Sequence, residues 1–593
     1  MRKNSTICEK CIYKDETNKA YCELCPLEQK GALDDIIDAL ESLNNDLLDV
    51  LGGIGITSED EDEPDEWDDE DADDEDLDED NDPEPFDDGR LSFEWLKGWK
   101  EAATDPRFEK HGIILTNTEK CRAEQRGEFI AAVNKYIDYK AAGGVKYYLL
   151  DLSDGKSVTR SSTLAVNDPL FIVHLLRQAY DLAPIEYLMI IGDRNVVGSA
   201  KWQNGLYREG GMGDGDKFVD SDLPYVFLEN RSLFDGKPAN RSIKVGRVPA
   251  SGDWGFATAQ CYLANVMRFH KERRDLNSIT MSAAEWGNVT RNVYSKISPL
   301  SYDCPPYSFV EGHGNYNISR DYPYDLMCFN LHGSPMHNAW QSGDGTIGMS
   351  SASLPTHAGR LYVLGSEACY GAKPIIKRTT EQSVLITALR NNCLGFLGST
   401  QIAYGITDRL YDLGAKPMCA DIMVGRFADL VHSGYALGDA YIEAWDAVAR
   451  SSNDLESTKT LCSFALYGDP TAAIARQDKI KISSKSKSSP IQKPFVDISS
   501  KMRSADIRKM PFHTVDRFIS ENLPEYRGNL VGVYKVESSP NHNLRFSPIS
   551  YNKNGEEYEE YKATYQSKEN GITSILQVYF NEKGDIDRVY VSK

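Results

Sequence analysis

Residues 326–333 read Leu-Met-Cys-Phe-Asn-Leu-His-Gly, and residues 361–371 read Leu-Tyr-Val-Leu-Gly-Ser-Glu-Ala-Cys-Tyr-Gly. Each is a short apolar run closed by small or polar residues, the pattern of a strand buried on both faces of a parallel sheet. Outward from these two runs, between about residues 89 and 475, strand-like and helix-like segments alternate. A strand is expected over 113–116, a helix around 128–141 and a strand over 187–192. That alternation predicts an α/β fold with mainly parallel sheets covered by helices. In open parallel sheets the groups that do chemistry gather just beyond the carboxyl ends of the strands. Two neighbouring strands ending in His332 and Cys369 would bring an imidazole and a thiol to one edge, although the residues are 37 apart in sequence.

A cysteine at a strand end is usually a buried filler, and a lone histidine is usually a satisfied polar group. The pair is more specific, because both residues close apolar strands and both have small neighbours. A thiol must lose its proton before it attacks a carbonyl, and a nearby imidazole takes that proton. Gly333 has no side chain, so a substrate carbonyl can approach its backbone. The N–H groups of Gly333 and Cys369 are therefore the expected oxyanion donors. His313 follows no clear strand, and His337 and His357 lie in loops.

The formal net charge is −24 over 593 residues, but it is local. Residues 58–88 contain 22 Asp or Glu and no Lys or Arg, so the rest of the chain is near balance. That acidic stretch cannot bury enough apolar surface to order itself and reads as a disordered linker. The N-terminus lacks the apolar core of a secretory signal, and no run approaches the length of a membrane span. A cytoplasmic protein is expected, with neither membrane nor nucleic acid as partner. Twelve cysteines in so long a chain do not make a disulfide scaffold. Those at 121, 261, 304, 328, 393, 419 and 462 read as buried small hydrophobes.

Cys8-x-x-Cys11 and Cys22-x-x-Cys25 suit a small zinc knuckle spanning residues 1–30, with two disulfides as the alternative. Residues 31–57 carry an amphipathic helix. The Lys- and Ser-rich stretch 476–494 reads as a linker. Residues 495–593 are expected to form a C-terminal α+β domain, with a helix near 513–521 and a final hairpin turning at 581–585. Asp214, Asp216, Asp220 and Asp222 form an acidic cluster in a glycine-rich loop, which is either solvated or a calcium site, though not of EF-hand spacing.

Around the two strands the sequence resembles the gingipain family of cysteine peptidases and, more loosely, caspases, legumains and separases. The resemblance runs over about 110–475 in seven ordered segments. These are Leu188-Met-Ile-Ile-Gly-Asp193, Ser221-Asp-Leu-Pro-Tyr225, Val245-Gly-Arg-Val-Pro249, His332-Gly-Ser334 with Trp340, Glu367-Ala-Cys369, Gly395-Phe-Leu-Gly-Ser-Thr400 and Leu466-Tyr-Gly-Asp-Pro470. It implies two stacked caspase-like subdomains, a non-catalytic one over 89–250 and a catalytic one over 251–475. It also implies a Cys369–His332 dyad with Glu285, in Ile279-Thr-Met-Ser-Ala-Ala-Glu285-Trp-Gly, orienting the imidazole. Gingipains are similar in binding calcium.

The sequence departs from the family at the specificity pocket, since residues 286–302 hold no acid. Asp408 is the expected partner of a basic P1 residue, with Tyr404 as an aromatic wall. Arg291 selecting an acidic P1 residue is the rival. The reading favoured here is a regulated cysteine endopeptidase acting on protein or peptide. Self-cleavage in the lysine-rich linker and a regulatory partner at either terminal module remain open. The alternative is a zinc-knuckle adaptor or scaffold whose caspase-like domain has little activity.

Overall fold

The runs that read as buried strands fall side by side in one large sheet of the computed structural model. It describes residues 89–592 apart from 161–166, 208–213, 229–242, 251–254, 270–275, 298–300, 304–323, 336–338, 355–359, 375–382, 453, 475–501, 505–511, 537–549, 552–556, 559 and 570–571. In chain order the labelled strands are β1 (Lys110–Thr116), β2 (Val145–Asp151), β3 (Tyr187–Ile191), β4 (Lys244–Val248), β5 (Ser278–Ser282), β6 (Ser301–Asp303), β7 (Leu326–Asn330), β8 (Tyr362–Ser366), β9 (Cys393–Ser399), β10 (Tyr404–Gly405) and β11 (Phe464–Gly468). All but β10 join a ten-stranded sheet ordered β6-β5-β7-β8-β9-β11-β4-β3-β1-β2. Every pairing in it is parallel except β9 with β11.

The central strands β3, β5, β7, β8 and β9 are buried along their whole length. This is why their sequences are continuously apolar rather than alternating. The two halves expected from the resemblance, β1–β4 and β5–β11, share this one sheet edge to edge; they are not stacked. The joint is β11, which returns late in the chain to lie between β9 and β4. Asp469, just past β11, holds it to the first half: Lys140 approaches its carboxylate at 2.8 Å, and Tyr136 and Tyr147 donate to it at 2.6 and 2.5 Å.

The expected helix around 128–141 is longer, Ala123–Ala142, and its buried face carries Phe129, Val133 and Tyr136. The C-terminal segment forms the expected helix, Phe512–Asn522, and strands β12 (Met502–Ser504), β13 (Leu530–Val536), β14 (Glu560–Glu569), β15 (Ile572–Asn581) and β16 (Ile586–Ser592). Their sheet is antiparallel and ordered β10-β16-β15-β14-β13-β12. The final turn falls at 581–585, as the Asn-Glu-Lys-Gly-Asp run predicts, with Gly584 at φ 84°. One edge of this sheet is β10, a strand of the preceding domain. The C-terminal core likewise includes Val289, Ile406 and Leu410 beside Val515, Ile519 and Leu576.

Cys121, Cys328, Cys393, Cys419 and Cys462 are buried, and Cys261 is partly so. Cys304, the four cysteines of the knuckle, the 31–57 helix, the acidic stretch and the 476–494 linker lie outside the described residues. No described helix is long and apolar enough to cross a membrane.

Candidate active site

Strands β5, β7 and β8 are consecutive and parallel, with Asn330 opposite Ser282 and Phe329 opposite Ser366. Each chain emerges from the same end of the sheet, and within three residues it presents Glu285, His332 and Cys369 respectively. Strand register thus brings residues far apart in sequence to one end of the sheet.

The Nε2 atom of His332 lies 2.8 Å from Oε1 of Glu285. The imidazole is nine-tenths buried and stacks at 4.4 Å, tilted 57°, on the ring of Trp286. Its backbone is pinned by a two-way bridge to Gln341, His332 N to Gln341 O at 2.8 Å and Gln341 N to His332 O at 2.9 Å. With Nε2 bonded to a carboxylate, Nδ1 is the ring nitrogen left to exchange a proton.

Gly333 lies directly against the backbone of Cys369. A Cβ built there would fall 1.8 Å from the carbonyl oxygen of Cys369 and 3.1 Å from Cβ of Ala368. Only glycine allows the two strand ends to approach this closely. Gly343 does the same for the carboxylate, since a Cβ there would lie 2.7 Å from Oε1 of Glu285. The Cys369 thiol is buried among the segments after β8 and β9: Ala403 N–H donates to Sγ at 3.3 Å, and Sγ lies 3.6 Å from Ala403 O. The next residue, Tyr370, sits at φ 55°, a left-handed conformation that costs a non-glycine residue about 1–3 kcal/mol and persists only where its surroundings hold it. Glu367, two residues before the thiol, is fully buried and accepts from Tyr294 at 2.5 Å.

A cavity of about 460 Å³ opens beside His332. Glu285, Trp286, His332 and Asp344 line one side; Glu525, Tyr526, Ser567, Ser574 and Val591 of the C-terminal domain line the other. Nothing in the sequence separates these C-terminal residues from ordinary surface. Trp286, by contrast, was legible as the neighbour of Glu285.

Asp408, Tyr404 and Arg291, the expected pocket residues, do not line this cavity. Both oxygens of Asp408 accept backbone N–H groups, Asn288 and Val289 at 2.8 Å each, so the carboxylate caps the Gly287–Val293 helix. Tyr404 is fully buried and its hydroxyl donates to Asp214 at 2.8 Å. Arg291 is exposed, and its Nη2 donates to Asn288 at 3.0 Å.

The four aspartates of the acidic loop are buried or partly buried and face protein cations. Asp214 and Asp216 are buried against Lys459 at 2.5 and 2.7 Å, Asp220 pairs with Arg194, and Asp222 accepts two bonds from Arg247 at 2.6 and 2.9 Å. Each of the four carboxylates is thus paired with a protein cation. Among the described residues no cluster of His, Cys, Asp or Glu is arranged to hold a metal.

No protein-family model matches the chain, and no curated protein matches it. Among solved structures it is similar to a protease at 10% identity, covering 83% of this chain and 98% of that one, with a TM-score of 0.42. It is also similar to the Saccharomyces cerevisiae separase–securin complex solved at 2.6 Å, at 14% identity over 38% of this chain and 14% of that chain, with a TM-score of 0.24. The chemical reading that follows rests on the geometry of the three strand ends.

Proposed function

We propose that the chain is a cysteine endopeptidase in which Cys369 is the nucleophile, His332 the general base and acid, and Glu285 the group that orients the imidazole. The observation that carries this is the convergence of the three residues beyond the carboxyl ends of adjacent parallel strands, with Gly333 packed on the Cys369 backbone. In the reaction His332 accepts the thiol proton and the sulfur bonds to the substrate carbonyl carbon. The carbonyl oxygen becomes an oxyanion near the Gly333 and Cys369 amides. The C–N bond then breaks as His332 returns the proton to the amine, and water hydrolyses the remaining thioester.

The lining of the cavity supports a cationic substrate side chain. Asp344 and Glu525 face it, and no Lys or Arg is among the described residues around it. The Asp344 carboxyl is held below its ordinary pKa, against the effect of burial, by bonds from Thr346 N and the Ser342 hydroxyl, so it stays charged. The proposed basic preference is thus carried by this cavity, which Asp408 does not line.

The test is hydrolysis of a peptide library by the full chain, read by mass spectrometry, beside the Cys369→Ala and His332→Ala variants. Each variant is expected to lose about 1,000-fold or more in kcat, because the residues act as one unit. Near-normal turnover by either would overturn the assignment. Cleavage after acidic residues would overturn the proposed substrate class.

A further inference from the structure

The Cys369 thiol sits between two short segments, and both are tied to one buried carboxylate. Tyr370, directly after the thiol, donates its hydroxyl to Oδ1 of Asp216 at 2.7 Å. Ile402, directly before the residue whose N–H meets Sγ, donates its own N–H to Oδ2 of Asp216 at 2.8 Å. On the other side of that residue Tyr404 donates to Asp214 at 2.8 Å. Asn204 joins the group from below, donating to Asp214 Oδ1 at 3.0 Å.

Two adjacent buried carboxylates repel one another unless a cation lies between them. The cation is Lys459, with Nζ 2.5 Å from Asp214 and 2.7 Å from Asp216, and only 1% of its side chain is exposed. It projects from the Leu455–Ser463 helix, every residue of which is buried. Burial alone would weaken its charge, but the two aspartates outweigh burial and hold the ammonium above its ordinary pKa. Burial, and then the neighbouring aspartates, push the Tyr370 and Tyr404 hydroxyls up as well, so both remain donors.

We propose that Lys459 is a positioning residue for the Cys369 thiol, acting through Asp216 on the two segments that flank it. It touches neither sulfur nor substrate. Its role is to hold the Asp216 carboxylate in place, so that Tyr370 stays in its left-handed conformation and Ala403 N–H stays aimed at Sγ. This rests on the peptidase reading for its kinetic consequence, although the geometry of the thiol is measurable without it. Displacement of a reacting atom by about 1 Å costs on the order of 100-fold in rate.

The experiment compares Lys459→Met, Asp216→Asn, Asp214→Asn and Tyr370→Phe in the full chain. Two readouts are taken per folded molecule: kcat and KM for peptide hydrolysis, and the rate of Cys369 alkylation by iodoacetamide followed by peptide mapping. Lys459→Met and Asp216→Asn are expected to lower kcat about 100-fold with KM within about threefold, and Tyr370→Phe about 10-fold. Each should change the alkylation rate in parallel. Asp214→Asn, which lacks the direct ties to Tyr370 and Ile402, should change both less than Asp216→Asn at equal loss of Tm. A purely structural role would instead make both readouts track Tm, with no difference between the two aspartates, and would overturn the proposal. If Lys459→Met does not fold, Asp216→Asn and Tyr370→Phe decide the matter. If no peptide is cleaved by any form, the peptidase reading fails, and the alkylation rates alone support or overturn the positioning role.

Discussion

At the scale of single residues the site depends on close approach, and the two glycines that permit it make different demands. A Cβ at Gly333 would meet backbone, the Cys369 carbonyl oxygen, at 1.8 Å. Backbone at a strand end cannot yield without moving the thiol, so Gly333→Ala is expected to cost at least about 100-fold in kcat and to lower Tm measurably. A Cβ at Gly343 would meet the far end of the Glu285 side chain at 2.7 Å, which can swing aside. Gly343→Ala should therefore cost about 10-fold or less, through a looser imidazole, and leave Tm nearly unchanged. Steady-state kinetics and a thermal melt on both variants check the contrast. Equal effects at the two positions would show that the strand ends are not held as closely as described. Sequence alone nominated Gly333 for its small size, and it could do so because the glycine follows the histidine directly. Gly343 had no such neighbour, as its partner is 58 residues away.

At the scale of elements, the continuous apolar runs β5, β7 and β8 were legible because burial on both faces removes polar residues from a strand, and their polar ends then stand out. Registry between strands is not written locally, so the edge-to-edge joining of the two halves through β11 was not foreseen. That joint makes a prediction with a definite sign. Burial would raise the Asp469 carboxyl, but Lys140 and the hydrogen bonds from it, Tyr136 and Tyr147 outweigh burial and lower it from 3.8 to about 2. A depressed carboxyl contributes stability that is present above its unfolded pKa and is lost as pH falls through its folded one. The Asp469 contribution should thus be whole near neutrality and disappear between about pH 4 and pH 2. Asp469→Asn leaves Lys140 buried without its counter-ion, an arrangement that typically costs about 3–5 kcal/mol. Denaturant unfolding should show that loss at pH 7 and a smaller difference from the parent chain near pH 3. A constant difference across this range would mean that the carboxyl is not ionised in the fold. Asp408 shows the opposite limit of sequence reading: its tie to the Gly287–Val293 helix, about 120 residues earlier in the chain, has no local signal.

At the scale of the whole molecule, composition marked 495–593 as a separate α+β domain joined by a lysine-rich linker, and the helix and hairpin were both legible there. Their attachment was not, since each docking residue looks like an ordinary member of its own element. β10, from the segment that also carries Ala403, pairs with the last strand, Tyr404 opposite Ser592 and Gly405 opposite Val591. Below it Glu456 accepts from Tyr579 at 2.6 Å and pairs with Lys562 at 3.4 Å, with all three residues buried. A buried ion pair split by removal of one member is strongly destabilising, so this is not a surface from which a domain detaches without penalty. The far wall of the cavity beside His332 belongs to the same domain. Release of residues 495–593 is therefore expected to inactivate the chain rather than to unleash it. A chain ending at residue 494 would expose Val289, Ile406 and Leu410, which belong to the shared core, and would leave Glu456 without Lys562. It should show low solubility or a lowered Tm, and kcat/KM should fall at least about 100-fold, because substrate loses one side of its cleft. Glu456→Ala in the full chain is the milder form of the same experiment. It should weaken docking and reduce activity in proportion, with calorimetry of the parent chain showing a single transition for the catalytic and C-terminal parts. Two well-separated transitions, or a truncated chain more active than the full one, would instead mean that the C-terminal sheet is a removable cover over an otherwise complete site.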